Sequence, residues 1–246
     1  MAAVPPEWVA ASVAKRGNRA DENEDATAAA GLRFAVADGA TEGWESGRWA
    51  ARLAAAYAAG PPTPADFPAW LAAARDWSPP AADPVPWYVA EKQEQGSFAT
   101  LLGVELRRSR KTDSWAWRAV AVGDSCLFHA RGDELVLAVP LTTPAAFGNR
   151  PPLVPSSAAR ACPEPGWFAG RAEPGDVFLL ATDAAAARLL RPGGLAAGLA
   201  AARAALAAGA ADPLADWCRA VQDDANDDVT VLAVRLTVGP VSNRPS

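Results

Sequence analysis

Apolar positions along the chain follow two periods, and the switches between them divide it into strands and helices. Trp8 to Val13 alternates as an N-terminal strand does. Phe34 to Ala37 is a short, continuously apolar run, the pattern of a strand buried on both faces. It delivers Asp38 and Gly39 to its end, after Ala26 to Ala30 and a turn at Gly31. Gly96 to Leu106 and Trp115 to Val122 read as strands on either side of the charged turn Arg107 to Ser114. Cys126 to Ala130 and Leu135 to Val139 form a hairpin about Arg131-Gly132-Asp133-Glu134, and Val177 to Ala181 and Val229 to Val238 complete the set. The basic run Arg107-Arg108-Ser109-Arg110-Lys111 lies between two strands, as a solvated hairpin turn does.

Helical spacing places Trp49, Leu53, Ala56 and Tyr57 on one face of a helix from Gly47 to Ala59, with Ser46 as its cap. A second helix is expected to begin at Thr63, with Pro64 at its first position, Asp66 at its third, and Phe67, Trp70, Leu71 and Ala74 on its apolar face. A third is expected over Trp87 to Gln95. Three more follow late in the chain, at Ala184 to Leu190, Leu195 to Ala208 and Pro213 to Val221, the last with Asp212 as cap. Pro140 to Pro174 has little periodicity and reads as the longest loop, a candidate mobile or substrate-facing segment. About nine strands joined mostly by short turns, with helices in two batches, fit two antiparallel sheets flanked by helices. A doubly wound parallel sheet needs a helix after nearly every strand, and no Gly-x-Gly-x-x-Gly or Gly-x-x-x-x-Gly-Lys appears.

Composition narrows the function. The 246 residues are 50% hydrophobic and 21% charged, enough for a full core and one domain over residues 1–246. A net charge of -5 argues against a nucleic-acid partner gripped by its phosphates. It leaves phosphate chemistry open if metal ions supply the positive charge. The first residues, Met1 to Trp8, lack a basic segment followed by an apolar core, so a cytoplasmic location is expected. Leu195 to Ala210, the most membrane-like window, carries Arg203 and is too short to span, so no membrane partner is expected either. Cys126, Cys162 and Cys218 lack metal-ligand spacing and read as ordinary thiols, with Cys126 partly buried in a strand. The lone His129 reads as structural or surface. The ten tryptophans read as core or contact residues, except Trp44, which follows Asp38 closely and is placed to border a substrate.

The chemistry-bearing residues are acidic. Glu24 and Asp25, Asp38, Asp124, Asp183, and Asp227 with Asp228 all fall at predicted strand starts or ends. Oxygen ligands without a nearby cysteine or histidine suit Mg²⁺ or Mn²⁺. One Asp after a strand is commonplace, and the Asp21-Glu22-Asn23-Glu24-Asp25 run alone would read as a solvated turn. Several such positions spread over the chain are harder to dismiss.

Asn23-Glu24-Asp25-Ala26, Val36-Ala37-Asp38-Gly39, Gly96-Ser97-Phe98-Ala99-Thr100, Gly123-Asp124-Ser125, Ala181-Thr182-Asp183 and Asp227-Asp228-Val229-Thr230 occur in an order that resembles the metal-dependent protein serine/threonine phosphatases of the 2C family, most closely its compact bacterial members. The resemblance covers about residues 9–236. It implies an α+β fold, a four-layer α-β-β-α sandwich with two central antiparallel sheets and a metal centre at one end. It further implies that Asp38 bridges two Mn²⁺ or Mg²⁺ ions, that the Gly39 carbonyl and Glu24 serve one of them, and that Asp183 and Asp227 serve the other. Asp25 would hold metal-bound waters, and Asp124 would help bind a weaker third ion. A water bridging two such ions loses its proton near neutral pH and attacks a phosphoester in line, so no protein nucleophile is required.

Four departures from the family pattern stand out. Where many relatives carry an arginine five residues before the aspartate that Asp25 matches, this chain has Ala20, with Arg19 beside it as the candidate phosphate contact and Arg16 as the alternative. Ala184 replaces the usual glycine after Asp183, which requires a backbone there without positive φ. Asp228 occupies a usual asparagine position. Ala40 replaces a histidine of many eukaryotic relatives, leaving no side-chain acid for the leaving group.

The resemblance thus implies hydrolysis of phosphoserine and phosphothreonine esters on a protein or peptide, opposed by a serine/threonine kinase. A phosphatase-like binding or regulatory module with little turnover is the alternative, and an enzyme acting on a small phosphorylated metabolite is a third reading.

Overall fold

The structure, a computed structural model, describes residues 5–41, 43–77, 95–109 and 114–237. In chain order these form β1 (Glu7–Val13), β2 (Asp25–Ala30), β3 (Arg33–Asp38), α1 (Ser46–Ala59), α2 (Phe67–Ala74), β4 (Phe98–Ala99), β5 (Leu101–Arg108), β6 (Trp115–Val122), β7 (Cys126–Arg131), β8 (Glu134–Val139), β9 (Val154–Pro155), β10 (Gly166–Ala172), β11 (Val177–Ala181), α3 (Asp183–Leu190), α4 (Gly194–Ala208), α5 (Asp212–Val221) and β12 (Val229–Arg235). One antiparallel sheet runs β1-β12-β11-β7-β8 and the other β10-β6-β5-β3-β2, with β4 and β9 as a separate short pair.

The continuously apolar strands are those buried on both sides. In β3, Phe34 and Val36 face the other sheet, while Ala35 and Ala37 face α1. In β12, Leu232 and Val234 meet Phe178 and Leu180 of β11 between the sheets, and Val229, Val231 and Ala233 point to the helices. Period-two alternation therefore serves two apolar environments at once. Trp49, Leu53 and Tyr57 of α1 cover one sheet. Leu189, Leu199, Ala202, Leu214 and Cys218 of α3, α4 and α5 cover the other. The four layers and two antiparallel sheets match the expected sandwich.

Local expectations need correction in several places. Ser46 is the first helical residue of α1 and not its cap; Glu45 precedes it at φ 51, and the Ser46 hydroxyl instead faces the Phe98 N–H at 3.4 Å. The second helix starts at Phe67, because the Asp66 carboxylate accepts the Thr63 N–H and closes a turn ahead of it. Asp212 is likewise the first residue of α5 and not its cap. The apolar run from Gly96 is split at Thr100 into β4 and β5. The expected helix at Trp87 to Gln95 and the Pro79 to Pro86 connection fall almost wholly outside the described residues.

The largest correction is within Pro140 to Pro174, which contains β9 and the full edge strand β10, paired with β6. Two glycines disguise β10, since glycine is depleted in strands. At Gly170 a Cβ would lie 2.7 Å from the Trp117 ring, so only glycine lets that indole rest on the strand.

His129 is structural. It is buried, stacks on Phe178 at 4.5 Å, and its Nε2 lies 2.7 Å from Asp176 Oδ2. Cys126 is fully buried, as is Cys218, and burial pushes both thiols up to about 12. Among the described residues no helix is long and apolar enough to cross a membrane.

Candidate metal centre

Antiparallel pairing collects the acidic positions at one end of the sandwich. Asp25 opens β2 and Asp38 closes β3, and the two are direct cross-strand partners. Asp124 lies in the turn between β6 and β7, whose first residue pairs with Ala181 at the end of β11. Asp183 follows that strand end as the first residue of α3. Asp227 and Asp228 lead into β12, whose first residues pair with the end of β1.

Backbone contacts hold this end rigidly. The Gly39 N–H donates to the Glu24 carbonyl at 3.1 Å, and Thr100 N–H to the Asp38 carbonyl at 2.8 Å. Thr100 Oγ1 accepts the Asp38 N–H at 3.0 Å and lies 2.8 Å from Ser125 Oγ, tying the Asp38 strand to the Asp124 turn. A Cβ on Gly39 would meet the Ser46 carbonyl carbon at 2.6 Å, so glycine is what lets α1 begin against the Asp38 strand.

Asp228 is structural. Its two carboxylate oxygens accept the Lys15 and Glu24 N–H groups, both at 2.8 Å, which fastens β1 and the Glu24 segment to the start of β12. An asparagine could accept only one of these, which gives a physical reason for aspartate here. Asp227 is exposed, and its Oδ1 accepts the Asp228 N–H at 2.9 Å. The Ala184 N–H donates to Asp183 Oδ1 at 2.5 Å, and Ala184 is an ordinary helical residue without positive φ. The absent glycine therefore strains nothing.

The electrostatics are those of carboxylates crowded together in a buried place. Burial, then the charges of Asp25, Asp183, Asp124 and Asp227, pushes the Asp38 carboxyl well above its ordinary range. Burial raises Asp25 to about 7, against hydrogen bonds from Thr230 and Thr182 and with repulsion from Asp228 and Asp183. Asp124 is raised to about 7 by burial and by Asp183, and Asp183 to about 6 by burial and by Asp227. Asp25 Oδ2 accepts from Thr182 Oγ1 at 2.9 Å, but Asp25 Oδ1 and Asp124 Oδ1 are buried without a hydrogen-bond partner. Buried carboxylate oxygens rarely go unsatisfied, and an all-oxygen set of this charge suits a hard divalent cation. The residues fit such ions in chemistry. As the side chains stand, however, no three His, Cys, Asp or Glu groups among the described residues converge on one ion.

A cleft of about 550 Å³ opens at this end, with Asp38, Gly39, Thr100 and Asp227 on its wall. Arg19 stands elsewhere: it is exposed, its guanidinium lies 3.4 Å from Asp21, and it does not line the cleft. Nor does Trp44, although Gly43 does. Sequence reasoning missed Thr182, which links Asp25 to β12, and it missed Asn149 and Arg150 on the cleft wall. Nothing periodic marks these last two; the only hint was the substrate-facing role expected of their segment.

No protein-family model and no curated protein sequence matches the chain. Solved structures do. The serine/threonine phosphatase PstP/Ppp of Mycobacterium tuberculosis is 19% identical, with TM-score 0.59 and coverage of 96% of this chain and 100% of that one. The catalytic domain of PstP in complex with two manganese ions gives 18% identity, TM-score 0.55, and coverage of 95% and 100%. The serine/threonine phosphatase Stp1 of Staphylococcus aureus gives 15%, TM-score 0.62, and coverage of 96% and 97%. Likeness at these identities establishes the fold: the chain has the sandwich of the metal-dependent serine/threonine phosphatases over nearly its whole length.

Proposed function

We propose that this protein hydrolyses phosphoserine and phosphothreonine esters of proteins or peptides, using two Mg²⁺ or Mn²⁺ ions and a weaker third. The observation that carries the reading is the set of buried, mutually repelling carboxylates at one end of the sandwich, two of them with unpartnered oxygens. Such an arrangement is costly when ionised, and bound cations relieve the cost. Asp38, Glu24 and the Gly39 carbonyl would hold one ion, Asp38, Asp183 and Asp227 the other, and Asp124 would serve the third. When bound, the ions supply a water acidified to near neutral pH and withdraw charge from the phosphoryl oxygens.

The chain's own residues do the positioning. Thr182 orients Asp25 through its 2.9 Å hydrogen bond, leaving the buried Asp25 Oδ1 without a protein partner and able to accept from a water held by the ions. Thr100 fixes the backbone of Asp38, and the Asp228 carboxylate fixes that of Glu24. Ala40 lines the cleft where many eukaryotic relatives place a histidine, so bulk or metal-bound water would protonate the departing serine or threonine oxygen. An opposing serine/threonine kinase is the class of reaction that supplies this substrate.

The test is phosphate release from p-nitrophenyl phosphate and a phosphothreonine peptide at millimolar Mn²⁺, with EDTA and Asp38→Ala as paired controls. Turnover abolished by both supports the enzyme. Folded protein without turnover refutes it and favours the binding-module reading.

A further inference from the structure

Building on the phosphatase reading, we propose that Arg150 is the cation that contacts the substrate phosphate at this site. Asp38, Asp227 and Asp228 line the same cleft as Asn149, Arg150 and Pro151, and among the described lining residues Arg150 is the only cationic side chain. A phosphate monoester entering an acidic cleft needs donors for the oxygens that ions leave free. A guanidinium supplies them as a planar fork matched to two phosphate oxygens.

Arg150 is available for that contact. It is exposed, and among the described residues it has no hydrogen-bond or ion-pair partner, although the cleft it lines is acidic. The other candidates are engaged. Arg16 is paired with Asp223, and its N–H donates to Asn226 Oδ1 at 2.7 Å. Arg19 pairs with Asp21, and its N–H donates to Glu22 Oε2 at 2.7 Å. Arg160 lies 5.3 Å over the Phe98 ring. Neither Arg16 nor Arg19 lines the cleft.

The backbone beside Arg150 is held in place. Pro151 and Pro152 follow it directly, which restricts Arg150 itself to extended geometry. Two residues later β9 pairs with β4, Trp49 Nε1 donates to the Val154 carbonyl at 2.9 Å, and Arg75 Nε donates to the Pro155 carbonyl at 3.0 Å. β4 also carries the Phe98 carbonyl that accepts the Ala40 N–H at 2.9 Å, so the Arg150 segment is docked on a strand whose Phe98 lines the cleft. A cation presented from an anchored segment loses little entropy on engaging its anion.

The experiment compares wild type, Arg150→Ala, Arg150→Lys and Arg19→Ala at millimolar Mn²⁺. It measures KM and kcat for p-nitrophenyl phosphate and a phosphothreonine peptide, and calorimetric binding of inorganic phosphate. Arg150→Ala is expected to raise KM and weaken phosphate binding by about tenfold to a hundredfold, the range for losing a charged hydrogen-bonding partner. Its kcat should fall less, and its melting temperature and Mn²⁺-induced shift should stay unchanged. Arg150→Lys should recover part of the loss, because it keeps the charge without the fork. Unchanged KM and phosphate affinity in Arg150→Ala overturn the proposal, as does finding the effect in Arg19→Ala instead. Wild type without turnover refutes the phosphatase reading alone; phosphate binding then still decides for Arg150 if Arg150→Ala abolishes it, and against Arg150 if it survives or if wild type binds none.

Discussion

Asp25→Asn should stabilise the ion-free protein above neutral pH and fail to do so in acid. Asp25 is raised from 3.8 to about 7, chiefly by burial. At about 1.4 kcal/mol per tenfold change in proton equilibrium, charging it inside the fold costs up to about 4 kcal/mol. The sign follows from the direction: a carboxyl that binds its proton more tightly in the fold contributes stability below 3.8 and loses it as pH rises through about 7. The introduced asparagine would still accept from Thr182, but its amide would occupy the place of the unpartnered Oδ1, at a cost of about 1–3 kcal/mol. The net gain at pH 8 is about 1–3 kcal/mol, at about 2–4 °C of melting temperature per kcal/mol for a chain of this size. At pH 5 the folded carboxyl is protonated but the unfolded one is already ionised, so the relief falls to about 1.6 kcal/mol and the amide's cost offsets it. The assay is thermal and urea unfolding in EDTA at pH 5, 7 and 8, repeated with Mn²⁺, which should stabilise wild type more than the variant. Equal destabilisation at pH 5 and pH 8 would refute the reasoning.

Asp38→Asn should reduce Mn²⁺-dependent turnover by at least about a hundredfold and remove most of the Mn²⁺-induced rise in melting temperature; both are read by titrating the ion into matched samples. Thr182→Val strips the hydroxyl that donates to Asp25 and accepts the Thr230 N–H at 3.0 Å, so urea unfolding should show a loss of about 1–3 kcal/mol. Asp176→Asn tests the far end of the sandwich, where Arg131 donates twice at 2.9 Å and the Glu173 N–H once at 2.9 Å. Burial works to raise the Asp176 carboxyl, but these donors and His129 outweigh it and hold the carboxyl below its ordinary range. Its contribution is therefore present above about pH 4 and lost as pH falls through its lower folded value. The variant should lose about 1–3 kcal/mol at pH 7 and less at pH 3, measured as urea midpoints.

Strand assignments were legible wherever both faces of a strand are apolar. Phe34 to Ala37 and Val177 to Ala181 could hardly have been anything but buried strands, and His129 was correctly placed inside a hairpin. The failures have local causes. Ser46 and Asp212 look like caps, yet a cap depends on the dihedral angles of its neighbours, and both lie one residue inside their helices. β10 was hidden because its glycines answer to a tryptophan on the adjacent strand, which no pattern within the strand reveals.

The acidic positions, their strand-end context and their oxygen-only chemistry came from the sequence, because residue type and periodicity are properties of neighbouring positions in the chain. Cross-strand pairing decided the rest. It set Asp25 opposite Asp38, turned Asp228 into a clamp on two backbone amides, left Asp25 Oδ1 without a partner, and brought Arg150 to the cleft in place of Arg19. These are contacts between residues separated by up to about two hundred positions, and only the packing of one sheet on the other determines which of them meet.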